Sequence, residues 1–357
     1  KTIEKSEKYF NGLLEPVTFN VKECAGSDKK ILRNGYILKR NDAVATVLIC
    51  HGFMCDKKDI SFLRLMFKDY NVMTFDFRAH GENTLGQCCS FGRDEAYDVI
   101  GAAEFIKSDP QLSKVPLFVY SFSMGAVASI LAQNIKPDLF AGGIYDCPFE
   151  SSEEVLKRLI NYFQCKIFGY DFCTPVRSLI YKYRWNWYVQ ETLKMALKTI
   201  AKKDTMAINT CMVPIYPAQA AKSIINPSLF IVCKNDEKAP VEAVRQVYDS
   251  VSGYKRLWIT DGPGHFGSIF CKPEEYAYRV DKFIKKVLDD EYKNDIQQKV
   301  IIDSDDQDCG APKTEGPEVA LQKTGNYIDS IIMLSKFILI ILGVFFIFAW
   351  IRRIFKR

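Results

Sequence analysis

The sequence predicts an α/β fold with a mostly parallel sheet, and three observations support this prediction. Between residue 17 and about residue 290, short apolar or β-branched segments alternate with longer amphipathic segments, which is typical of a sheet covered by helices on both faces. Each apolar segment ends beside a polar residue. The chain has 357 residues, 48% of them hydrophobic and 25% charged, which is enough for one large core or two modest ones.

Six apolar segments are predicted as the main strands. In chain order they are "ATVLICHG", "NVMTFDFR", "VPLFVYS", "FAGGIYDC", "PSLFIVCK" and "YKRLWIT". Active sites of open parallel sheets lie at the carboxyl ends of the strands. The loops that follow these six segments are therefore where functional residues are expected.

The loop after the third strand contains two serines, in "VYSFSMGA" at residues 119–126. A nucleophile on a sharp turn from strand to helix needs small residues two positions before it and two positions after it. Ser123 has Ser121 and Gly125 at these positions, whereas Ser121 would have the β-branched Val119. Ser123 is therefore the predicted nucleophile, with the helix beginning directly after it.

A serine hydroxyl needs a base to accept its proton, and histidine is the side chain best suited to this at neutral pH. The chain has three histidines, His51, His80 and His265, and each lies in a loop at the end of a predicted strand. In the chain order serine, acid, histidine, only His265 follows Ser123. His265 is therefore the predicted base.

Two acids follow strands between these residues and could orient the histidine. Asp236 follows the apolar strand in "SLFIVCKNDEKAP", and its loop directly precedes the strand that leads to His265. Asp146, after "AGGIY", is the alternative, because its strand end could also reach the histidine. Asp236 is preferred and Asp146 remains open.

Five motifs in this order, "ICHGF", "DFRAHGEN", "SFSMGA", "CKNDEKAP" and "GPGHFG", resemble the α/β-hydrolase superfamily. The resemblance is greatest to its acylglycerol-lipase-like and serine-aminopeptidase-like members, and it covers roughly residues 17–290. It implies the α/β-hydrolase fold, and it indicates a substrate only weakly.

The resemblance also implies roles for loop residues. The backbone N–H groups of Phe53 and Met124 would face the oxyanion that forms during acyl transfer. Asp76, Arg78 and His80 match the family's D-x-R-x-H-G turn, which is architectural. In this family the insertion at about residues 148–222, which is rich in aromatic and basic residues, resembles a helical cap over the pocket. Whether its aromatics face a membrane or pack downward stays open.

The C-terminal part of the chain differs in composition from the predicted hydrolase domain, residues 1–295. Residues 296–326 are acidic and contain Pro and Gly, so they are predicted to be a linker. Residues 327–351 are predicted to be a transmembrane helix, because 331–351 are almost entirely apolar and would span about 30 Å. A basic tail, residues 352–357, follows.

Charge and cysteines set the remaining expectations. A net charge of +5 without a basic tract gives no indication of a nucleic-acid partner. The twelve cysteines do not follow a metal-site spacing, and we expect neither a metal nor an organic cofactor.

Mostly free thiols favour a reducing compartment. The basic tail alone would favour the opposite orientation, but we expect a single-pass C-terminal anchor with the catalytic domain in the cytosol.

The sequence therefore predicts a membrane-anchored serine hydrolase that cleaves esters or thioesters of lipid-like acyl substrates through an acyl-enzyme. Two alternatives remain. A serine peptidase or aminopeptidase would use the same three residues. A non-catalytic membrane adaptor on this fold would not need an ordered triad.

Overall fold

The structure is a computed structural model. It describes residues 14–82, 86–162, 166–167, 170–171, 178, 181–186, 189–191, 209–295 and 298–302. In this part of the chain the main feature is a sheet of nine strands in the order β1-β2-β4-β3-β5-β6-β9-β10-β11. The strands β1 and β2 form an antiparallel hairpin that pairs with β4, and all other neighbours in the sheet are parallel.

The strand bounds are Leu14–Lys22 (β1), Lys30–Leu38 (β2), Thr46–Cys50 (β3), Asn71–Phe75 (β4), Leu117–Phe122 (β5), Gly142–Asp146 (β6), Lys166–Ile167 (β7), Tyr170–Asp171 (β8), Ser228–Cys233 (β9), Lys255–Thr260 (β10) and Gln298–Ile302 (β11). The two short strands β7 and β8 pair with each other outside the main sheet. All six strands expected from the sequence are present, so the predicted mostly parallel α/β sheet is confirmed.

The helices of the described residues are Glu95–Ser108 (α1), Met124–Ile135 (α2), Ser152–Tyr162 (α3), Pro217–Ala220 (α4), Val241–Ser250 (α5), Ser268–Cys271 (α6) and Pro273–Leu288 (α7). Four 3-10 turns accompany them, at Ser61–Met66, Leu112–Lys114, Ala221–Ser223 and Glu291–Asn294.

The central strands are apolar on both sides because helices cover both faces of the sheet. In β5, Val119 faces the cluster that contains α1, α2 and α5. Its neighbours Phe118 and Tyr120 face the cluster that contains α7. The same alternation runs through β3 and β9, so the sheet is the middle of three layers.

Two features at the ends of the sheet differ from the sequence expectation. The antiparallel hairpin of β1 and β2 extends one end of the sheet, and its first strand is largely exposed, so its hydrophobic pattern is weak. At the other end, β11 lies within the segment 296–326 that the composition assigned to a linker. The sheet therefore continues to Ile302.

The remaining expectations concern residues that are described only in part. Of the predicted cap, the structure describes α3, β7, β8, a few residues between 178 and 191, and the segment from residue 209 that includes α4. The predicted membrane segment, residues 327–351, lies outside the described residues. Among the described residues, no helix is both long and apolar enough to cross a membrane.

The cysteines expected in central strands lie there. Cys50 ends β3 and Cys233 ends β9, and both are buried free thiols, as are Cys89 and Cys147. Cys271, by contrast, is disulfide-bonded. The expectation of mostly free thiols therefore has one exception among the described residues.

Candidate active site

The loop between β5 and α2 forms a tight turn centred on Ser123. This residue has φ 52° and ψ −123°, a conformation that costs a non-glycine residue on the order of 1–3 kcal/mol. Backbone hydrogen bonds hold it, since the Ser123 N–H donates to the carbonyl of Asp146 at 2.8 Å and the Ser123 carbonyl accepts from Val127 at 3.1 Å. The turn leaves the Ser123 side chain partly exposed at the carboxyl edge of the sheet.

Close packing explains the small residue two positions after Ser123. A Cβ atom on Gly125 would lie 2.4 Å from the carbonyl oxygen of Cys50 and 2.5 Å from that of His51. The start of α2 therefore contacts the end of β3 directly through its backbone, as the sequence argument required.

Ser121, which occupies the position two before Ser123, is fully buried in β5. Its hydroxyl lies 3.3 Å from the carbonyl oxygen of Ile144 on the neighbouring strand and donates to it. The side chain of Ser121 is thus accommodated inside the sheet. Ser121 is not part of the exposed site.

His265 lies beside Ser123, 142 residues further along the chain. Its Nε2 is 2.8 Å from the Ser123 Oγ, and its Nδ1 lies 2.8 Å from Oδ2 and 3.1 Å from Oδ1 of Asp236. Since a carboxylate oxygen only accepts, Nδ1 carries the proton and Nε2 is left to accept from the serine hydroxyl. The structure therefore brings together the three residues predicted as nucleophile, base and acid.

Asp236 is buried at 2% exposure and is held from its own loop. Its Oδ1 accepts the backbone N–H groups of Lys238 and Ala239, both at 2.9 Å. These bonds fix the carboxylate before any substrate is present, and through it they fix the histidine ring and its tautomer.

Asp146, the alternative acid, makes different contacts. Its Oδ2 accepts the hydroxyl of Tyr276 at 2.6 Å, and the Tyr276 hydroxyl is 2.8 Å from that of Tyr120. Burial, together with the charge of Asp236, raises the pKa of Asp146 to about 7. The hydrogen bonds of the His265 Nδ1 go to Asp236, and Asp146 instead supports Ser123 through its backbone carbonyl.

The loop after β3 contains the predicted oxyanion donor Phe53, and His51 orients it. The His51 Nδ1 donates to the Gly52 carbonyl at 2.8 Å, and Nε2 accepts the Phe77 N–H at 3.0 Å. In a trans peptide the Gly52 carbonyl and the Phe53 N–H point in opposite directions, so this bond also fixes the direction of the Phe53 N–H. Burial and the neighbouring His80 lower the pKa of His51 to about 3, so the ring stays neutral.

The second predicted donor, Met124, is the first residue of α2. The first N–H groups of a helix have no acceptor within the helix, and they favour negative charge. The Gly52 backbone lies near the nucleophile, because a Cβ on Gly52 would be 3.5 Å from the Ser123 Cβ. Both predicted donors therefore belong to loops that meet at Ser123.

Cys147 is a residue of the site that sequence reasoning missed. Its Sγ lies 3.9 Å from the His265 Nε2, and the thiol is fully buried. Burial first, and then the carboxylates of Asp146 and Asp236, raise its pKa well above the usual range, so it stays protonated and does not compete as a nucleophile. Its position directly after a strand was the only available signal.

Ligand atoms of Cys147, Asp236 and His265 lie within 4.8 Å of one another, as in a small metal site. Both ring nitrogens of His265 are already within hydrogen-bond distance of Asp236 and Ser123. A cation bound to Nε2 would displace the serine. The set fits a proton relay better than a metal site.

The D-x-R-x-H-G turn is buried and internally paired. Asp76 accepts the ammonium of Lys57 and its backbone N–H. Arg78 pairs with Asp98 at 2.7 Å, and the His80 Nδ1 donates to the Arg78 carbonyl at 2.8 Å. These contacts support the loop beneath Phe53, whose ring packs edge-on against His80.

Comparisons with known proteins show related sequences. The family model of the serine aminopeptidase, S33, family matches residues 41–172. An uncharacterised protein of Bacillus subtilis (strain 168), YqkD, is 24% identical over 283 residues, which are 77% of this chain and 81% of that protein.

Two solved structures show the same fold. The esterase Pf2001 of Pyrococcus furiosus superimposes with a TM-score of 0.57 at 22% identity, over 78% of this chain and 93% of the esterase. The acylaminoacyl peptidase of Pyrococcus horikoshii gives a TM-score of 0.50 at 15% identity, over 79% of this chain and 43% of that protein. With the sheet order, these findings show that the chain has the α/β-hydrolase fold, and the Ser123–His265–Asp236 geometry is that of a serine hydrolase triad.

Proposed function

We propose that this protein hydrolyses carboxylic esters or thioesters of lipid-like acyl substrates through a covalent acyl-enzyme. The observation that carries the proposal is the 2.8 Å distance between the Ser123 Oγ and the His265 Nε2, with Nδ1 bonded to Asp236. This arrangement allows the hydroxyl to lose its proton as it attacks a carbonyl carbon.

The reaction follows from the positions of the three residues. As the Ser123 Oγ forms a bond to the acyl carbon, His265 takes its proton and then gives that proton to the departing alcohol or thiol. Water next attacks the acyl-serine, again losing a proton to His265, and the acid is released. The N–H groups of Phe53 and Met124 would bind the oxyanion in both halves, each contributing about 3–4 kcal/mol to transition-state stabilisation.

Apolar side chains near the site favour an acyl substrate. The rings of Phe122 and Phe266, which directly neighbour Ser123 and His265 in sequence, are stacked at 3.9 Å. Phe53 packs against Phe91 with ring centroids 4.7 Å apart. Each methylene of an acyl chain that binds among such apolar side chains strengthens binding. We therefore expect medium or long acyl esters to be preferred over acetyl esters.

A peptidase is the second candidate, because the matched family model is that of a serine aminopeptidase. Such an enzyme needs a free carboxylate to bind the substrate's amino group. In the described start of the cap, Glu150 is paired with Arg158 and Glu153 with Arg184, at 2.7 and 2.6 Å. These acids are already neutralised, which favours the ester.

Membrane anchoring belongs to the same proposal. Residues 327–351 would form a single C-terminal span, with the catalytic domain on the cytosolic side. The length and apolarity of residues 331–351 support the span, and the mostly free thiols among the described cysteines support the cytosolic side. In sealed vesicles of known orientation, protease should digest the domain only from the cytosolic face; protection there would place the domain on the other side.

A fluorophosphonate probe tests the nucleophile, since it labels an activated serine. Wild type should be labelled, Ser123→Ala should lose labelling completely, and the matched variant Ser121→Ala should retain most of it, because Ser121 is buried in β5. Labelling that follows Ser121 instead would contradict the assignment. An unlabelled wild-type protein would favour the non-catalytic adaptor.

A panel of p-nitrophenyl esters of increasing chain length, together with aminoacyl amides, tests the substrate. We expect kcat/KM to rise from the acetyl ester to medium and long acyl esters. Hydrolysis of aminoacyl amides alone would instead establish the peptidase.

A further inference from the structure

The last described strand determines where the chain leaves the domain. β11 runs parallel to β10, with Ile302 beside Ile259. Parallel strands have their carboxyl ends at the same edge of a sheet. The chain therefore leaves the sheet at the edge from which the loops of Ser123, Asp236 and His265 extend.

A row of aromatic rings connects the catalytic residues to the protein surface. Phe122 stacks on Phe266, whose centroid lies 6.1 Å from that of Phe270, and Phe270 lies 5.6 Å from Phe62. Phe270 belongs to α6, which begins three residues after His265. The row thus begins next to the nucleophile and ends in an aromatic patch, defined here as Phe62 and Phe270.

The outer end of this row is exposed to solvent. Phe270 is 59% exposed and is the one exposed phenylalanine among the described residues. Leu65, in the 3-10 turn that carries Phe62, is 38% exposed. Covering an exposed apolar group of this kind with another apolar phase lowers the free energy, and such groups beside an active site often mark interaction surfaces.

The charges near the patch are largely paired. Lys58 contacts Glu82 at 3.4 Å, and Lys272, directly after α6, contacts Glu275 at 3.9 Å. A covering surface therefore does not need to be strongly anionic. Apolar insertion is the main attraction that the patch offers.

The length of chain that follows restricts what can cover the patch. Residues 303–330 separate Ile302 from the apolar segment 331–351. An unstructured chain of this length would have an end-to-end distance of roughly 30 Å. A bilayer that held the apolar segment would then be within reach of the edge at which the chain leaves the sheet.

We propose that the aromatic patch of Phe62 and Phe270 docks on the surface of a phospholipid bilayer, so that the active site faces the membrane from which it takes its acyl substrate. This inference rests on the proposed membrane anchor. Tethering raises the local concentration of the surface, so a small patch is enough to orient the domain.

The test uses the full chain in phosphatidylcholine vesicles with or without brominated acyl chains, which quench nearby tryptophan. Phe270→Trp adds a fluorophore at the patch. Ile225→Trp is the matched control, because Ile225 is 65% exposed but lies just before β9, at the amino edge of the sheet. The emission added by Phe270→Trp should be quenched by brominated lipid, and that added by Ile225→Trp should not. No quenching at position 270, or equal quenching at both positions, overturns the inference.

Activity provides a second readout. Phe270→Ser should lower the rate on a long-chain ester held in vesicles about tenfold relative to a soluble short-chain ester, as expected for loss of one buried ring. Ile225→Ser should leave this ratio unchanged, and an unchanged ratio in Phe270→Ser counts against docking. Fluorophosphonate labelling of Ser123 does not depend on docking, so failure of the hydrolase proposal is seen separately.

Discussion

Asp146 shows how one residue can stabilise the site without contacting the base. Its backbone carbonyl accepts the Ser123 N–H, and its carboxyl group is buried against the hydroxyl of Tyr276. Because the pKa of Asp146 is raised from 3.8 to about 7, the folded protein binds this proton more tightly than the unfolded chain does. The stability contributed by this proton is fully present below about pH 4 and is lost as the pH rises through about 7.

We therefore predict that Asp146→Asn flattens the pH dependence of stability. An amide is neutral at every pH and can still accept from Tyr276, so the fall in stability between pH 5 and pH 8 should shrink, by at most about 3 kcal/mol. Melting temperatures at the two pH values measure this. The exposed Asp138→Asn should leave the profile parallel to wild type.

The same variant separates the two candidate acids. Asp146→Asn should keep most fluorophosphonate labelling, whereas Asp236→Asn should lose it, because Asp236 is the carboxylate bonded to His265. The reverse result would transfer the acid role to Asp146.

Residue types and chain order made the three central side chains predictable. Only one histidine follows Ser123, and Asp236 begins the loop before it. The contact of Asp146 with Tyr276 spans 130 residues and depends on how α7 packs on the sheet, so no local pattern indicates it. The orienting role of His51 was also hidden, because it depends on a hydrogen bond to the adjacent peptide.

At the scale of elements, α2 and β3 meet at a point where no side chain fits. A Cβ on Gly125 would approach two backbone carbonyl oxygens, of Cys50 and His51, within 2.5 Å. Backbone atoms in a central strand cannot move aside as a side chain can. The contact sets the position of Ser123, the residue from which the helix begins.

Gly125→Ala should therefore damage both stability and labelling. Overpacking of this kind costs about 1–3 kcal/mol, and the displaced turn should slow reaction with fluorophosphonate strongly. Gly101→Ala in α1 is the matched control, because its Cβ would meet the Val21 side chain at 2.5 Å. Val21 lies in β1, which does not contribute a loop to the site. Gly101→Ala should lower the melting temperature but leave the labelling rate of the folded protein near wild type.

The six central strands were predictable because burial on both faces makes them continuous apolar segments. The strand β11 was not predicted, since "QKVII" is short and lies beside an acidic, Pro- and Gly-containing segment. The hairpin of β1 and β2 was also not predicted, because β1 has only two buried residues. β11 depends on pairing with β10, from which α6 and α7 separate it in the sequence, whereas β1 pairs with the adjacent β2 and buries too little to give a clear pattern.

At the scale of the whole molecule, β11 covers an edge that would otherwise be exposed. Without it, the backbone groups of β10 on that side would lack partners, next to the buried residues Leu257 and Trp258. Exposed apolar edge strands pair with other molecules. We therefore expect a chain that ends before β11 to be less soluble than one that includes it.

A chain ending at residue 295 should aggregate on concentration, whereas one ending at residue 302 should remain monodisperse. Light scattering and gel filtration distinguish them. Val300→Pro in the longer chain removes one backbone donor from β11 and should move its behaviour toward that of the shorter chain. Equal solubility of all three would mean that β11 does not protect the edge.

Four non-glycine residues with positive φ, Met54, Ser123, Cys147 and Phe266, lie in four different loops of the site. Each loop would relax to an ordinary conformation if it were released from the sheet, so the catalytic geometry exists only while distant parts of the domain hold all four at once. Reactivity of Ser123 then acts as a reporter of tertiary integrity. A fluorophosphonate added during a thermal ramp would count intact molecules, and would do so even in a crude membrane preparation where spectroscopy of the fold is impractical.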